Sequence, residues 1–559
     1  MKIIFKNEII DPISPDKIVD ILLKNREIKD IPNFLNPPDP LQYSLSDFGF
    51  KKGEINNVLK TLAEIYKKNQ MIVVYTDYDA DGITGGAIMW ETLHLLGFKV
   101  MPYVPHRKSE GYGFSRKGID AVVKEFHPKL IISVDHGITS KVEVDYANKI
   151  GIDILITDHH HKQEEKVPVK ALAIFHIPEL SGSGTAYIVA KEIYNHFKTK
   201  NKNLKIIKHN FQNDYLGLAT IGTIADLVPL VGKSRSIVAH GLGTFSKNRR
   251  PGIRALFDDA KIKSKKITPY EIGFMIAPRI NAVGRLEHAI DALRLLCTVD
   301  KDRADKLAGQ IGNLNIDRQM LVRDQVAEAI SMLEKNKTIP KIIVLHSNSW
   351  HEGVIGLIAG NILEKYYRPT IVMTKSEDNF KGSVRSIPGF HITDFLSNFK
   401  KILVGYGGHA AAAGFTVMSK NRVMFTKLVV KNANKMIDDK ILDRKLEVDL
   451  KIPLSTMSKK LFLLIDKMGP FGMGNSKPLF VSEVMVSHAR ILGKQRQHLK
   501  LEVKDAKISS FTLEMIAFGK AEIFSKLSKN QVVRVVYTLD INQWNGTEKV
   551  QGIVKHIEL

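Results

Sequence analysis

The chain reads as two α/β domains joined by a long helix, followed by a small β-barrel resembling an OB-fold. Three observations predict this. Short continuous apolar runs alternate with helix-like stretches from residue 71 onward. A proline-free tract over 301–335 repeats apolar residues at helical spacing. After residue 440, apolar and polar residues alternate. The boundaries follow: a lead-in over 1–68, a first α/β domain over 69–300, a connecting helix over 301–335, a second α/β domain over 336–440 and the barrel over 441–559.

The length supports this division, because single cores stop growing at about 250–300 residues and the chain has 559, with 44% hydrophobic content. The lead-in is mixed in composition, carries the loop Asn36-Pro37-Pro38-Asp39-Pro40 and reads as helical. In the first α/β domain, Met71-Ile72-Val73-Val74, Leu130-Ile131-Ile132-Ser133-Val134 and Ile152-Asp153-Ile154-Leu155-Ile156 read as strands of a buried parallel sheet. A helix is expected from Ile83 to Leu96. In the connecting helix Leu307, Ile311 and Leu314, then Val322, Val326, Ile330 and Leu333, keep the helical period. The second domain is read from strand Lys341–Leu345, a helix from about Val354 to Lys365, strand Thr370–Met373 and two glycine-containing stretches, 381–385 and 405–409. In the barrel, Leu446, Val448, Leu450 and Ile452 alternate, Val532–Tyr537 is a strand and Asn545-Gly546 signals a hairpin turn.

Charge narrows the function. The net charge is +23, from 82 Lys and Arg against 59 Asp and Glu. Such a balance suits a polyanionic partner, although lysine-rich composition alone reads equally as a genome bias. The barrel region is also basic, with 19 Lys and Arg against 12 Asp and Glu. One cysteine, Cys297, excludes a disulfide within the chain and reads as a core residue. The first residues lack a secretory signal pattern, and no run approaches the roughly 18 apolar residues of a membrane span. A cytoplasmic protein without membrane association is expected.

Acidic and imidazole groups gather where the strands end. Asp77-Tyr78-Asp79-Ala80-Asp81-Gly82 places three carboxylates at i, i+2 and i+4. They repel one another unless a divalent cation intervenes; taken alone, such a run is as readily a solvated acidic turn. Asp158-His159-His160-His161 adds imidazoles, which suit Mn²⁺. Asp135-His136-Gly137 ends another strand, and Asp226 is a lone carboxylate in an apolar stretch that needs a partner. Ligands of open α/β sheets bind beyond the carboxyl ends of strands.

These four segments, with Gly222–Asp226 as the last, resemble the ordered motifs of the DHH phosphoesterase superfamily. The stretch Gly407-Gly408-His409-Ala410-Ala411-Ala412-Ala413-Gly414 resembles the signature of its associated DHHA1 domain. With the basic barrel behind them, the order resembles the superfamily's single-strand-specific exonucleases. The resemblance covers residues 45–559 and implies two Mn²⁺ or Mg²⁺ ions. Asp79 and Asp81 would bind them separately, Asp135 would bridge, and His159 and Asp226 would complete the second site. His160 would face the scissile phosphate, and Asp77 would support the ligands or join them. Some members carry a histidine four residues before the first metal-binding aspartate; Tyr75 stands there, which implies a first metal with fewer protein ligands.

The implied activity is 5′→3′ hydrolysis of single-stranded DNA in recombination and repair by a monomer, with a helicase and a single-strand-binding protein as partners. Arg107, Arg279, Asn281, Ser383, Arg385 and His409 are candidates for contacting the strand or its 5′ phosphate, because several sit beside glycines where a backbone can approach a phosphate. Phe471, Tyr537 and Trp544 are candidates for base stacking or for the barrel core. The alternatives are a phosphodiesterase of the same superfamily acting on short oligonucleotides or cyclic dinucleotides, and a non-catalytic DNA-binding scaffold. Against the scaffold, all the carboxylates are present.

Overall fold

The structure, a computed structural model, describes residues 2–107, 110–111, 113–198, 203–264, 266–335, 338–506, 510–544 and 546–559. They form two compact units, one built mainly of Gly312–Leu446, the other of Ile4–Gly284, His288–Ile311 and Glu447–Leu559. Strand β1 (Lys2–Glu8) opens the chain. The first α/β sheet contains β2 (Ile72–Thr76), β3 (Val100–Tyr103), β4 (Leu130–Val134), β5 (Asp153–Asp158) and β6 (Ala173–His176), all parallel, in the order β3-β2-β4-β5-β6.

The apolar runs are continuous because both sheet faces are covered. Ile72, Val74, Leu130, Ile132 and Leu155 enter one core; Val73, Tyr75, Ile131, Ile154 and Ile156 enter the other. Successive strand residues point to opposite faces, so a run serving two cores has no polar position to spare. The chain moves outward from β2 to β3 in one direction and from β4 to β6 in the other. That reversal between β2 and β4 is the crevice where open sheets bind ligands. Register pairs Thr76 with Val134 and Val134 with Thr157, so the residues just after β2, β4 and β5 emerge at one level.

In the smaller unit, β7 (Ile343–Ser347), β8 (Thr370–Ser376), β9 (Asn379–Arg385), β10 (Leu403–Gly408) and β11 (Ala412–Met418) form a mixed sheet ordered β10-β11-β9-β8-β7. Residues 381–385 and 405–408 of the glycine-containing stretches are strands here, and Gly382 pairs with Phe415, whose ring occupies the space a Cβ would need. The helix Lys301–Glu334 begins in the larger unit and ends in the smaller one. No helix among the described residues is long and apolar enough to cross a membrane.

The barrel uses β12 (Lys445–Lys451), β13 (Phe480–Leu492), β14 (His498–Asp505), β15 (Thr512–Ala517), β16 (Val532–Trp544) and β17 (Thr547–Glu558). β13 pairs with both β14 and β16, which closes the ring β13-β14-β15-β17-β16. Asn545 lies outside the described residues, although β16 and β17 pair through Trp544 and Thr547. The expected lead-in divides in two. β1 joins the barrel sheet beside β12, and Ile18, Val19, Leu22 and Leu23 of helix Pro15–Asn25 pack into the barrel core. Arg26 seals this union through an ion pair with Asp449 at 3.1 Å. Leu45 and the apolar stripe of helix Lys52–Lys67 instead pack on the first sheet.

Tyr537 is corrected as a base-stacking candidate: it is fully buried, with its hydroxyl 2.9 Å from Ser482 Oγ. Val533, Val535, Tyr537 and Leu539 share the inward face of β16. Phe471 is partly buried against the same core, and the Trp544 side chain lies outside the described residues.

Candidate metal centre

The acidic run leaves β2 and enters helix Ala80–Leu96. Asp79 caps that helix, its Oδ1 accepting from the backbone N–H of Asp81 and of Gly82 at 3.0 Å each. Asp81 turns the other way. Its two oxygens accept from Gly182 N at 2.6 Å and Ser183 N at 2.9 Å, the first residues of helix Gly182–Phe197. The positive end of that helix therefore steadies a buried carboxylate. Gly222, in helix Asp214–Ala225, makes room for the arrangement: a Cβ there would overlap both Ser183 Oγ and Asp81 Oδ1.

Asp135 follows β4 with φ +69, a left-handed backbone conformation that costs a non-glycine residue about 1–3 kcal/mol where the surroundings impose it. Its Oδ1 lies 3.2 Å from His159 Nε2, and neither atom has a hydrogen-bond partner among the described residues. His159 Nε2 is also 3.4 Å from Asp226 Oδ2 and 3.8 Å from Asp81 Oδ2. Ligand atoms of Asp77, Asp79 and Asp135 lie within 4.8 Å of one another, as do those of Asp81, His159 and Asp226, and those of Asp135, His159 and His160. Asp135 thus belongs to the first group and touches His159 of the second.

Electrostatics distinguish the members. Burial, then the charge of Asp81, raises Asp79. Burial and the charges of Asp81 and Asp79 raise Asp135 well above the carboxylate range, and push Asp226 up to about 8. Burial lowers His159, keeping its imidazole neutral, the form that ligates metals. His160 behaves oppositely. Burial works against its charge, but the hydrogen bond and charge of Asp158, whose Oδ1 is 2.8 Å from His160 Nδ1, push it up to about 9. Asp158 is buried, yet the His160 imidazole and the N–H groups of His160 and Ile138 hold it below the ordinary carboxylate range. Repelling carboxylates, a neutral imidazole and two orphaned buried ligand atoms fit a pair of hard divalent cations such as Mn²⁺ or Mg²⁺.

The remaining candidates fall in several places. Tyr75 is fully buried in the core on one sheet face, its hydroxyl donating to Gly113 O at 3.4 Å and its ring beside Phe114 and His136, so it adds nothing to the carboxylate group. Arg107 lies over the Tyr78 ring at 5.2 Å, while Ser109 and Tyr112 of the adjoining stretch lie outside the described residues. Asn281 Oδ1 accepts from Ala80 N at 2.7 Å, bracing the acidic turn. Arg279 is turned to Asp259, 2.8 Å away, and to the Met275 carbonyl.

Ser383, Arg385 and His409 belong to the smaller unit. A Cβ on Gly356, at the start of helix Ile355–Tyr366, would meet Arg385 Nη2 and Ser383 Oγ, each at 3.0 Å. Arginine and serine at a helix N-terminus suit a phosphate. His409 is exposed in the β10–β11 turn, its carbonyl held by Thr393 Oγ1 at 2.8 Å. Two contributors carried no assigned role in the sequence reading: Asp158 as the partner of His160, and the Gly182-Ser183 backbone as the anchor of Asp81. Ser181 before a glycine-rich helix start is a recognisable cap, but nothing local ties it to Asp81.

Three family models match the chain: the DHH family N-terminal domain over residues 71–223, the DHHA1 domain over 334–441 and the RecJ OB domain over 448–556. The single-stranded-DNA-specific exonuclease RecJ of Haemophilus influenzae is 31% identical, over 90% of this chain and 90% of the relative. That of Bacillus subtilis is 32% identical over 88% of this chain, which spans 62% of the relative's length. Among solved structures, RecJ of Thermus thermophilus in complex with Mn²⁺ superposes with a TM-score of 0.80 at 28% identity, over 97% of this chain and 76% of that one. Another exonuclease RecJ bound to manganese gives 0.59 at 32% identity, over 69% and 96%.

Proposed function

This chain belongs to the RecJ family of single-stranded-DNA-specific exonucleases, and on that premise we propose that it hydrolyses single-stranded DNA in the 5′→3′ direction, releasing nucleotides during recombination and repair. The observation that carries the reading is the convergence of Asp77, Asp79, Asp81, Asp135, His159 and Asp226 at one sheet crevice, with a cationic His160 beside them.

Asp77, Asp79 and Asp135 would hold one Mn²⁺ or Mg²⁺ ion; Asp81, His159 and Asp226, with Asp135 between, the other. Two such ions lower the pKa of a water and neutralise charge on the phosphoryl oxygens. The chain's own groups do the rest. Asp135, fixed by its strained backbone, stands where both carboxylate groups meet. His160, its Nδ1 held by Asp158, would offer its other ring nitrogen as an N–H donor to a non-bridging phosphate oxygen. Asn281 and the N-terminus of helix Gly182–Phe197 keep Asp79 and Asp81 from drifting as substrate enters. In the overall step, a water oxygen bonds to phosphorus, the bond to the bridging O3′ breaks and that oxygen takes a proton.

Arg107, Asn281, Ser383, Arg385 and His409 are proposed strand contacts, with Ser383 and Arg385 at the helix start suited to a terminal phosphate; Arg279 is instead held by Asp259 and the Met275 carbonyl. The enzyme is proposed to act as a cytoplasmic monomer on strands exposed by a helicase and covered by a single-strand-binding protein.

The test is substrate length. With Mn²⁺ or Mg²⁺, 5′-phosphorylated single strands tens of nucleotides long should be degraded and Asp135→Ala should not cleave them, while still binding. Consumption of di- and trinucleotides alone would place the chain among the short-oligonucleotide phosphodiesterases.

A further inference from the structure

Outside the metal centre, two large aromatic residues stand in solvent together. Tyr270 is 61% and Phe274 73% exposed. Their rings stack on one another, centroids 5.1 Å apart and planes 27° from parallel. Exposed aromatics cost solvation and are normally buried, so a preformed stacked pair marks a binding surface. The pair sits at a π-helical turn, Glu271–Ile276, that continues into helix Ala277–Leu286. Such turns are rare and frequent at functional sites.

The segment links the barrel to the metal centre. At its start, Lys266 Nζ pairs with Asp466 Oδ2 of the barrel's helix at 3.1 Å. At its far end, Asn281 receives the Ala80 N–H of the catalytic turn. Midway, Gly273 lies against Ile224, two residues before Asp226: a Cβ there would meet Ile224 Cγ2 at 3.4 Å. At 1.5 Å per residue, Phe274 is about 10 Å along the helix from Asn281. In the preceding loop Lys261 and Lys263 are exposed, while Lys266 is held by Asp466.

We propose that Tyr270 and Phe274 form a stacking platform for bases of the substrate strand, between the barrel and the metal centre. This rests on the exonuclease reading. Aromatic faces accept any base, and lysines on the same approach draw the phosphates between them. The platform would hold the strand a few nucleotides from the hydrolysed bond without reading its sequence.

The test uses single strands carrying 2-aminopurine, moved one position at a time from the 5′ end, bound with Mn²⁺ to the full chain carrying Asp135→Asn to stop cleavage. Quenching should be confined to a short block of positions, vanish with Tyr270→Ala/Phe274→Ala, and return with Tyr270→Phe/Phe274→Tyr. Loss of one stacked base corresponds to about five- to 150-fold in affinity, so the alanine pair should weaken strand binding at least about fivefold. In the cleavage-competent chain, the same pair should lower kcat/KM for long strands relative to a dinucleotide, chiefly through KM. Unchanged quenching and unchanged strand affinity in the alanine pair would overturn the platform while leaving the exonuclease reading intact. A wild-type chain that leaves single strands untouched would instead remove the reading on which it rests.

Discussion

Replacing Asp226 by asparagine should make the metal-free protein more stable at pH 8 and the enzyme far less active. Burial and the charges of Asp81 and Asp79 push the Asp226 carboxyl up to about 8, from an ordinary 3.8. At about 1.4 kcal/mol per pKa unit, holding it ionised costs up to roughly 6 kcal/mol. Its side chain is 32% exposed, and solvent screening reduces that to roughly 3 kcal/mol. The sign follows from proton linkage. Between about pH 4 and pH 8 the folded chain binds this proton more tightly than the unfolded chain, so stability falls as pH rises through that window. Asparagine cannot ionise and escapes the fall.

The assay is calorimetry in EDTA across that range. The variant's transition should match the wild type near pH 4 and exceed it by roughly 6–12 °C at pH 8, at about 2–4 °C per kcal/mol for a domain of this size. Saturating Mn²⁺ should reverse the order, because binding stabilises the wild type more. Activity should fall beyond the roughly 10–100-fold typical of a residue that only supports a ligand. A variant no more stable than wild type at pH 8 would refute the claim that this carboxylate sits uncompensated among like charges.

Three further outcomes follow from the packing. Gly222→Ala should cut activity about a hundredfold and weaken Mn²⁺ binding in a metal titration, since the new Cβ displaces Asp81, even though alanine favours a helix. Arg235→Met should destabilise the larger unit by about 3 kcal/mol in urea unfolding, because the buried guanidinium bonds the carbonyls of Phe34, Met468 and Gly469 and would leave them unsatisfied. In the metal-free protein, the His160 ring should titrate near 9 by NMR, and Asp158→Asn should move it down, because the hydrogen bond and charge that oppose burial are lost. The stability it contributes is present below about pH 6.5 and lost as pH rises through 9.

Much of the architecture could be read from local pattern. Leu130–Val134 has no polar alternation because two cores claim it, and the acidic residues follow strands because that is where an open sheet leaves room. Distant pairings were not readable. Ile18 and Leu22 announce an amphipathic helix but not that it covers a barrel; Asn25 bonds the Asp449 carbonyl 424 residues away. The metal centre was legible as residue types, while its support was not. Asp81 depends on backbone N–H groups of a helix that starts 101 residues later, and those groups carry no side-chain signature. Arg279 satisfies itself on Asp259, a pairing that no spacing rule announces. Tyr537 could have been read correctly: it shares the two-residue period of Val533, Val535 and Leu539, which places it inside.

The most direct test follows a single strand labelled at one end and then at the other, with metal added or chelated. With Mn²⁺ or Mg²⁺, a 5′ label should leave at once as a mononucleotide, and a 3′-labelled strand should shorten progressively. EDTA should stop both, and blunt duplex should be spared. Immediate release of the 3′ label, internal nicking, or undiminished degradation in EDTA would contradict a metal-dependent enzyme working inward from the 5′ end.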